Sequence, residues 1–238
     1  MKKKRIIPVI LYSNGFVVQA KQFRQFQNIG NAADTIKRYS EWSADELIFL
    51  NIGENKNDIR RDDIKYKNKS KFLQIIKMIS KNAFIPISVG GKIKNINDAK
   101  KLFKVGADKI VLNSEFVKNP LVLKEFSHSF GAQSIVISLD FKKINGRYKI
   151  FYNSGKIKSQ NNEKYLFSII NQYAGEVLIN SIDYDGLGEG YDYNLINYVY
   201  KYLRKPIILC GGAGEYSHFA KALKSNKLDG VSSANFFQ

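Results

Sequence analysis

A single cysteine, Cys210, stands in 238 residues, which excludes an internal disulfide framework and fits a reducing compartment. Only two histidines accompany it, too few thiol and imidazole groups for a zinc site, so neither a metal nor another cofactor is expected. Long apolar runs are missing as well. Glu46–Leu50 and Ser134–Leu139 have the length of strands, whereas a membrane helix needs about 20 apolar residues. The basic start, Met1 to Arg5, passes straight into a strand-like run with no small-residue cleavage site, so no secretory leader is expected and the chain is placed in the cytoplasm. Acidic residues are the scarce charge: 21 Asp and Glu against 38 Lys and Arg give a formal net charge of +17. The lysines are scattered and no nucleic-acid-binding motif occurs, so the excess reads as a solvated basic surface whose field favours an anionic small substrate, with neither nucleic acid nor membrane as partner.

What is present is a regular alternation. Short β-branched runs at Ile6–Ile10, Leu47–Asn51, Ile85–Val89, Lys109–Leu112, Ser134–Asp140, Glu176–Asn180, Ile207–Cys210 and Gly230–Ser233 read as strands. Helix-length stretches such as Asn97–Val105 and Asn194–Leu203 lie between them. This is the pattern of βαβ units around a parallel sheet. Eight units in a chain of this size favour closure into a (β/α)8 TIM barrel, one domain over residues 1–238, rather than an open sheet. Asp140–Lys156, with Asn145-Gly146 between Lys143 and Arg147, reads as a lid-like hairpin inserted after the fifth strand. No helix-length segment follows the eighth strand, so the closing helix of such a barrel is expected to be missing.

The chain also repeats itself. Ile85-Pro86-Ile87-Ser88-Val89-Gly90-Gly91 returns as Lys205-Pro206-Ile207-Ile208-Leu209-Cys210-Gly211-Gly212, and each copy leads through a helix pattern to an Asp-led strand at Asp108 or Asp229. An interval of about 121 residues, from Gly90 to Gly211, makes each unit a half-barrel. Active sites of such barrels lie at the C-terminal strand ends. Gly90-Gly91 and Gly211-Gly212-Ala213-Gly214 fall there, and glycine lets backbone N–H groups approach an anion closely. Two such loops in register suggest a substrate with an anionic group at each end. The strand ends also place Asn51, Asn113-Ser114, Asp140, Asn180-Ser181, Asp183 and Asp185 there. A carboxylate at Asp140, after a continuous apolar run, is not explained by packing.

Arg5-Ile6-Ile7-Pro8, Ala44–Leu50, Val89-Gly90-Gly91, Gly106–Lys109, Asn113-Ser114, Asp183–Gly186, Gly190-Tyr191-Asp192 and Gly211–Gly214 together carry a resemblance over nearly the whole chain. The sequence resembles the cyclase subunit of imidazole glycerol phosphate synthase, the HisF family. The resemblance implies an enzyme subunit that pairs with a class I glutaminase (HisH-like) as a heterodimer and passes ammonia through the barrel to an acceptor at the far face. The family's entrance to that passage is a ring of one Arg, two Glu and one Lys, which fall here on Arg5, Glu46, Lys109 and Glu176. Asp140 and Asp185 would be catalytic. Gly91, Lys92, Asn113, Ser114, Asn180, Gly186, Gly212, Ala234 and Asn235 would bind substrate and its anionic groups.

The departures carry as much information. The family uses carboxylates at the ends of strands one and five for acid–base work, but Leu11 stands where the first belongs. Gln19 replaces a lysine, Asn51 an aspartate, Lys92 the third glycine of the first loop, Asn180 and Leu187 two threonines. This pattern is similar to a divergent branch that works with a glutaminase and an ATP-using partner to turn an N-acetyl group of an activated, surface-polysaccharide sugar into an acetamidino group. That is the expected activity. The ordinary histidine-pathway cyclase and a non-catalytic scaffold for the glutaminase are the alternatives.

Overall fold

The computed structural model describes residues 3–31, 44–53, 72–82 and 85–237. Eight parallel strands close on themselves: β1 (Arg5–Ser13), β4 (Leu47–Asn51), β5 (Ile87–Gly90), β6 (Lys109–Leu112), β7 (Ile135–Ile144), β10 (Glu176–Ser181), β11 (Ile207–Cys210) and β12 (Gly230–Ser233). Each pairs with the next, β7 with β10 directly, and β12 returns to β1 in the register Arg5↔Gly230 to Pro8↔Ser233. The chain is therefore a (β/α)8 barrel. Strands buried on both faces need near-continuous apolar sequence, and Ile135–Phe141 supplies seven buried residues in succession.

Helices α1 (Phe72–Asn82), α2 (Ile96–Lys104), α3 (Ser114–Lys118), α4 (Val122–Phe130), α5 (Glu163–Tyr173), α6 (Tyr193–Val199) and α7 (Tyr216–Leu223) lie between the strands. None of the described helices is long and apolar enough to cross a membrane. Where α2 begins, the Asn95 side chain accepts from the Asp98 amide at 3.0 Å and Asp98 accepts from the Lys94 amide at 3.1 Å, which fixes the exit of the loop after β5. Alternation along the strands divides the core in two. One set of side chains, including Phe49, Ile110, Ile137 and Leu209, packs against the helices. The other, including Ile7, Val9, Leu11, Ile48, Val111, Val136, Leu178 and Ile208, fills the barrel interior.

The repeat seen in the sequence is repeated in hydrogen bonds. Leu47 N–H donates to Pro86 O and Val177 N–H to Pro206 O, both at 2.9 Å. Asp108 N–H meets Ile87 O and Asp229 N–H meets Ile207 O, again at 2.9 Å. The carboxylates of the same two aspartates accept from the first strand amides, Asp108 from Ile87 at 2.8 Å and Asp229 from Ile207 at 3.0 Å, and Asp45 does the same for Ile6 at 3.0 Å. Asp108 thus has a structural task within the barrel.

Each half also carries a hairpin after its first strand. β7 does not end at Asp140 as the sequence suggested. It runs on to Ile144 and folds back through Asn145-Gly146 into β8 (Arg147–Tyr152), which pairs with β9 (Ile157–Lys158). The hairpin of the first half goes beyond the strands read from the sequence: β1 turns at Asn14-Gly15 into β2 (Phe16–Lys21), which pairs with β3 (Gln25–Asn31). Both turns place two residues at positive φ, 50° and 102° in the first and 48° and 76° in the second, as two-residue hairpins require.

Candidate active site

The barrel floor holds a closed ring of four charges. Arg5 Nη1 lies 2.7 Å from Glu46 Oε2 and 3.1 Å from Glu176 Oε1. Lys109 Nζ lies 3.2 Å from Glu46 Oε2 and 3.3 Å from Glu176 Oε2, so each cation touches both anions. Glu46 is only 2% exposed and accepts a further hydrogen bond from Ser88 Oγ at 2.6 Å. For Arg5, burial acts to lower its pKa, but Glu176 and Glu46 outweigh it and the pKa rises. All four floor residues named from the sequence are brought together, with alternating sign and full pairing.

At the opposite end the polar groups are less completely paired. Asp140 projects into the mouth from β7, 6% exposed, and accepts from Asn113 Nδ2 of the β6 end at 2.9 Å. Asn113 Nδ2 also reaches Ser138 O at 3.0 Å. Asn180 sits in register beside Asp140 on β10 and donates a second hydrogen bond to it. Burial pushes the Asp140 pKa up to about 7, against the lowering effect of the two asparagines. Asp185, 6% exposed, is likewise raised to about 7, first by burial and also by the charge of Asp140, with a backbone hydrogen bond from Phe23 opposing. Asn180 Oδ1, Asp185 Oδ2 and Asn235 Oδ1 are buried without a partner among the described residues. Buried polar atoms left unsatisfied are costly, and three of them around one mouth mark a place where ligand groups or water complete the bonding.

The glycine loops flank this cluster. Gly91 has φ 92° and a Cβ there would come within 2.0 Å of Asn51 O; Gly212 has φ 109° and its Cβ would come within 2.0 Å of Gly190 O. The two halves therefore fold their loops alike, and no side chain fits at either position. Lys92, the residue after Gly91, has a positive φ of 60°, so the lysine carries backbone strain. Gly186, φ 70°, packs against the first hairpin, where a Cβ would meet Ala20 O at 2.4 Å. Asn235 Nδ2 donates to the same Ala20 O at 2.9 Å, beside buried Ala234. Ser114 is less available than expected, because its hydroxyl accepts from the Asn153 amide at 3.1 Å. Asp183 is also engaged, accepting from the Lys143 amide at 2.7 Å.

Leu11 occupies the mouth end of β1, 9% exposed, among the interior apolar residues. Its neighbour Tyr12 points the other way, with ring centroids 5.9 Å from Phe49 and 5.3 Å from Phe72, and so cannot replace a carboxylate inside. The sequence reading missed Gln22 and Phe23. Gln22 N–H donates to Asp185 O at 2.9 Å, its side chain donates to Asp183 O at 3.1 Å, and the Phe23 amide reaches the Asp185 carboxylate. The signal was the first Asn-Gly turn, whose hairpin carries these residues across the mouth.

The fold and site define a (β/α)8 barrel with a charged floor and a mouth of buried carboxylates flanked by glycine loops, and comparison with known proteins gives its family. The family model described as histidine biosynthesis protein matches residues 5–237, and the chain belongs to that family. A protein of Parasynechococcus marenigrum (strain WH8102), provisionally named imidazole glycerol phosphate synthase subunit hisF2, is 39% identical over 240 residues, covering 99% of this chain and 85% of that protein. The imidazole glycerol phosphate synthase subunit HisF of Natranaerobius thermophilus is 34% identical over 241 residues, and that of Clostridium botulinum (strain 657 / Type Ba4) 32% over 240; each comparison covers 100% of this chain and 91% of the relative.

Proposed function

We propose that this chain, as a single cytoplasmic barrel domain, is the acceptor-site subunit of a glutamine-dependent synthase of the imidazole glycerol phosphate synthase type. A partner class I glutaminase docks on the floor and its ammonia enters past Arg5, Glu46, Lys109 and Glu176. The acceptor is an anionic small molecule held by Gly91 and Lys92 at one end and by Gly186, Gly212, Ala234 and Asn235 at the other, with Asn113, Ser114 and Asn180 between. Asp140 transfers protons or orients the incoming ammonia, and Asp185 anchors or shares that role. A carboxyl group with a pKa of about 7 is available in both protonation states near neutrality, which general acid–base catalysis exploits. The observation that carries this reading is the paired ring of four charges on the floor, opposite a mouth with two buried carboxylates.

The names of the relatives favour ring closure in histidine biosynthesis as the reaction. Amidination of a nucleotide-activated sugar with an ATP-using partner is the second reading, and one observation favours it: Leu11 closes the strand-one position with an apolar side chain. Both are tested in one assay. The purified chain, with and without a HisH-type glutaminase, is given the histidine-pathway ribulosyl intermediate, with glutamine or saturating ammonium as nitrogen source. Glutamine-dependent consumption of the intermediate establishes the cyclase. A stable complex at micromolar concentration with no consumption leaves the sugar reading, and absence of any complex refutes the glutaminase-coupled proposal as a whole.

A further inference from the structure

The hairpin of β2 and β3 encloses a hollow of about 330 Å³, bounded by Gln19, Ala20, Lys21, Gln25, Phe26 and Gln27 and floored by Gly186 and Asn235. Its polar side chains share one face because Gln19 pairs with Gln27 and Lys21 with Gln25 across β2 and β3. None of these four side chains has a hydrogen-bond or ion-pair partner among the described residues, and none of the described lining residues is acidic. Three carboxamides offer donors and acceptors together without charge. A single lysine beside them is poorly matched to a second phosphate, which tight sites surround with several cations or converging backbone amides. The volume is at the small end of ligand pockets, enough for one ring.

We infer that this hollow is a subsite for an uncharged, hydrogen-bonding group of the acceptor, a hydroxyl-rich sugar ring or the amide edge of a base, placed next to the anion loop at Gly186. The inference rests on the reading of this mouth as the substrate site and adds to it the chemistry of one end. It also gives Gln19 a purpose: an ammonium at that position selects an anion, whereas an amide does not. Gln19 and Gln27 are specificity determinants and stand outside the reacting centre.

Calorimetric titration of the purified chain, without glutaminase, tests the subsite apart from catalysis. The probes are inorganic phosphate, glucose 1-phosphate, uridine monophosphate and fructose 1,6-bisphosphate. Glucose 1-phosphate or uridine monophosphate is expected to bind at least tenfold more tightly than inorganic phosphate, and the better of the two identifies the group. Gln19→Leu with Gln27→Leu is expected to remove that tenfold advantage while phosphate affinity and the melting temperature stay unchanged, and Gln19→Lys is expected to shift preference toward the bisphosphate. Equal affinity for inorganic phosphate, glucose 1-phosphate and uridine monophosphate, or an advantage that survives the double leucine variant, overturns the subsite. The bisphosphate, which both anion loops can hold, is the reference against which Gln19→Lys is read. Failure of the glutaminase to bind would leave this result untouched.

Discussion

The two ends of the barrel solve the burial of charge in opposite ways. On the floor, two cations and two anions alternate, every partner is within 3.3 Å, and Ser88 satisfies a further oxygen of Glu46. At the mouth, two carboxyl groups lie in Coulombic reach of each other with only amides for company, and three buried oxygens lack donors. The floor is arranged to be stable as it stands. The mouth leaves polar groups over, and the raised pKa values of its two carboxyl groups follow from burial without an opposite charge.

The largest effect should come from removing one of these carboxyl groups. Asp140→Asn is expected to lower turnover by about 10²–10⁴-fold, the usual worth of a positioned acid or base. The same change should stabilise the fold in a pH-dependent manner. Asp140 holds its proton to about 7 when folded and to about 4 when unfolded, so the folded state retains a proton that the unfolded state releases. The stability this gives is fully present below about pH 4 and is lost as pH rises through about 7. Thermal melts should therefore show the variant more stable than the wild type by about 2–4 kcal/mol at pH 8 and equal to it at pH 4. Equal stability at both pH values would mean that the mouth is no more strained than the floor.

The floor should respond with the opposite sign. Glu46→Gln leaves Arg5 and Lys109 sharing Glu176 alone, and denaturant unfolding should show a loss of about 3 kcal/mol at neutral pH. Lys109→Ala removes a partly exposed cation whose two anions still keep Arg5, so the stability loss should be smaller, about 1–2 kcal/mol. Its main expected consequence is functional: glutamine hydrolysis should continue while product per glutamine falls, measured as the ratio of glutamate to product. An unchanged ratio in the folded variant would make the ring purely structural. The smallest effect sharpens the comparison between the halves. Lys92 holds φ 60° whereas its counterpart in the other half, Ala213, has no positive φ, so Lys92→Gly should raise stability by about 0.5–1 kcal/mol, read from the midpoint of denaturation.

How much of this was legible in the sequence depends on the range of the interactions. Leu47–Asn51, Lys109–Leu112 and Ile207–Cys210 were readable to the residue, because a buried parallel strand is a short apolar run, and Gly230–Ser233 was readable as the counterpart of Lys109–Leu112 in the repeat. The four floor residues came from a matched motif, and the structure adds that they touch. The first hairpin was missed although it begins with the same Asn-Gly signal that revealed the second. The strand read from the sequence, Ile6–Ile10, stops short of the turn at Asn14-Gly15, and the duplication was not carried from one half to the other. The contacts of Gln22 and Phe23 with Asp185 span some 160 residues and have no local signature, and neither does the engagement of Ser114 by Asn153.

The three aspartates at the feet of the strands have a consequence for how the barrel opens. Most barrel amides are held by carbonyls and are indifferent to pH, but those of Ile6, Ile87 and Ile207 are held by the carboxylates of Asp45, Asp108 and Asp229. Protonating a carboxylate weakens it as an acceptor. Burial acts to raise the Asp45 pKa, but Lys3 and the Ile6 amide outweigh it and hold the carboxyl below its ordinary value. In hydrogen exchange the Ile6 amide should therefore keep its protection into acid and lose it only as Asp45 takes up its proton, a local reporter of the moment at which the foot of β1 begins to slip.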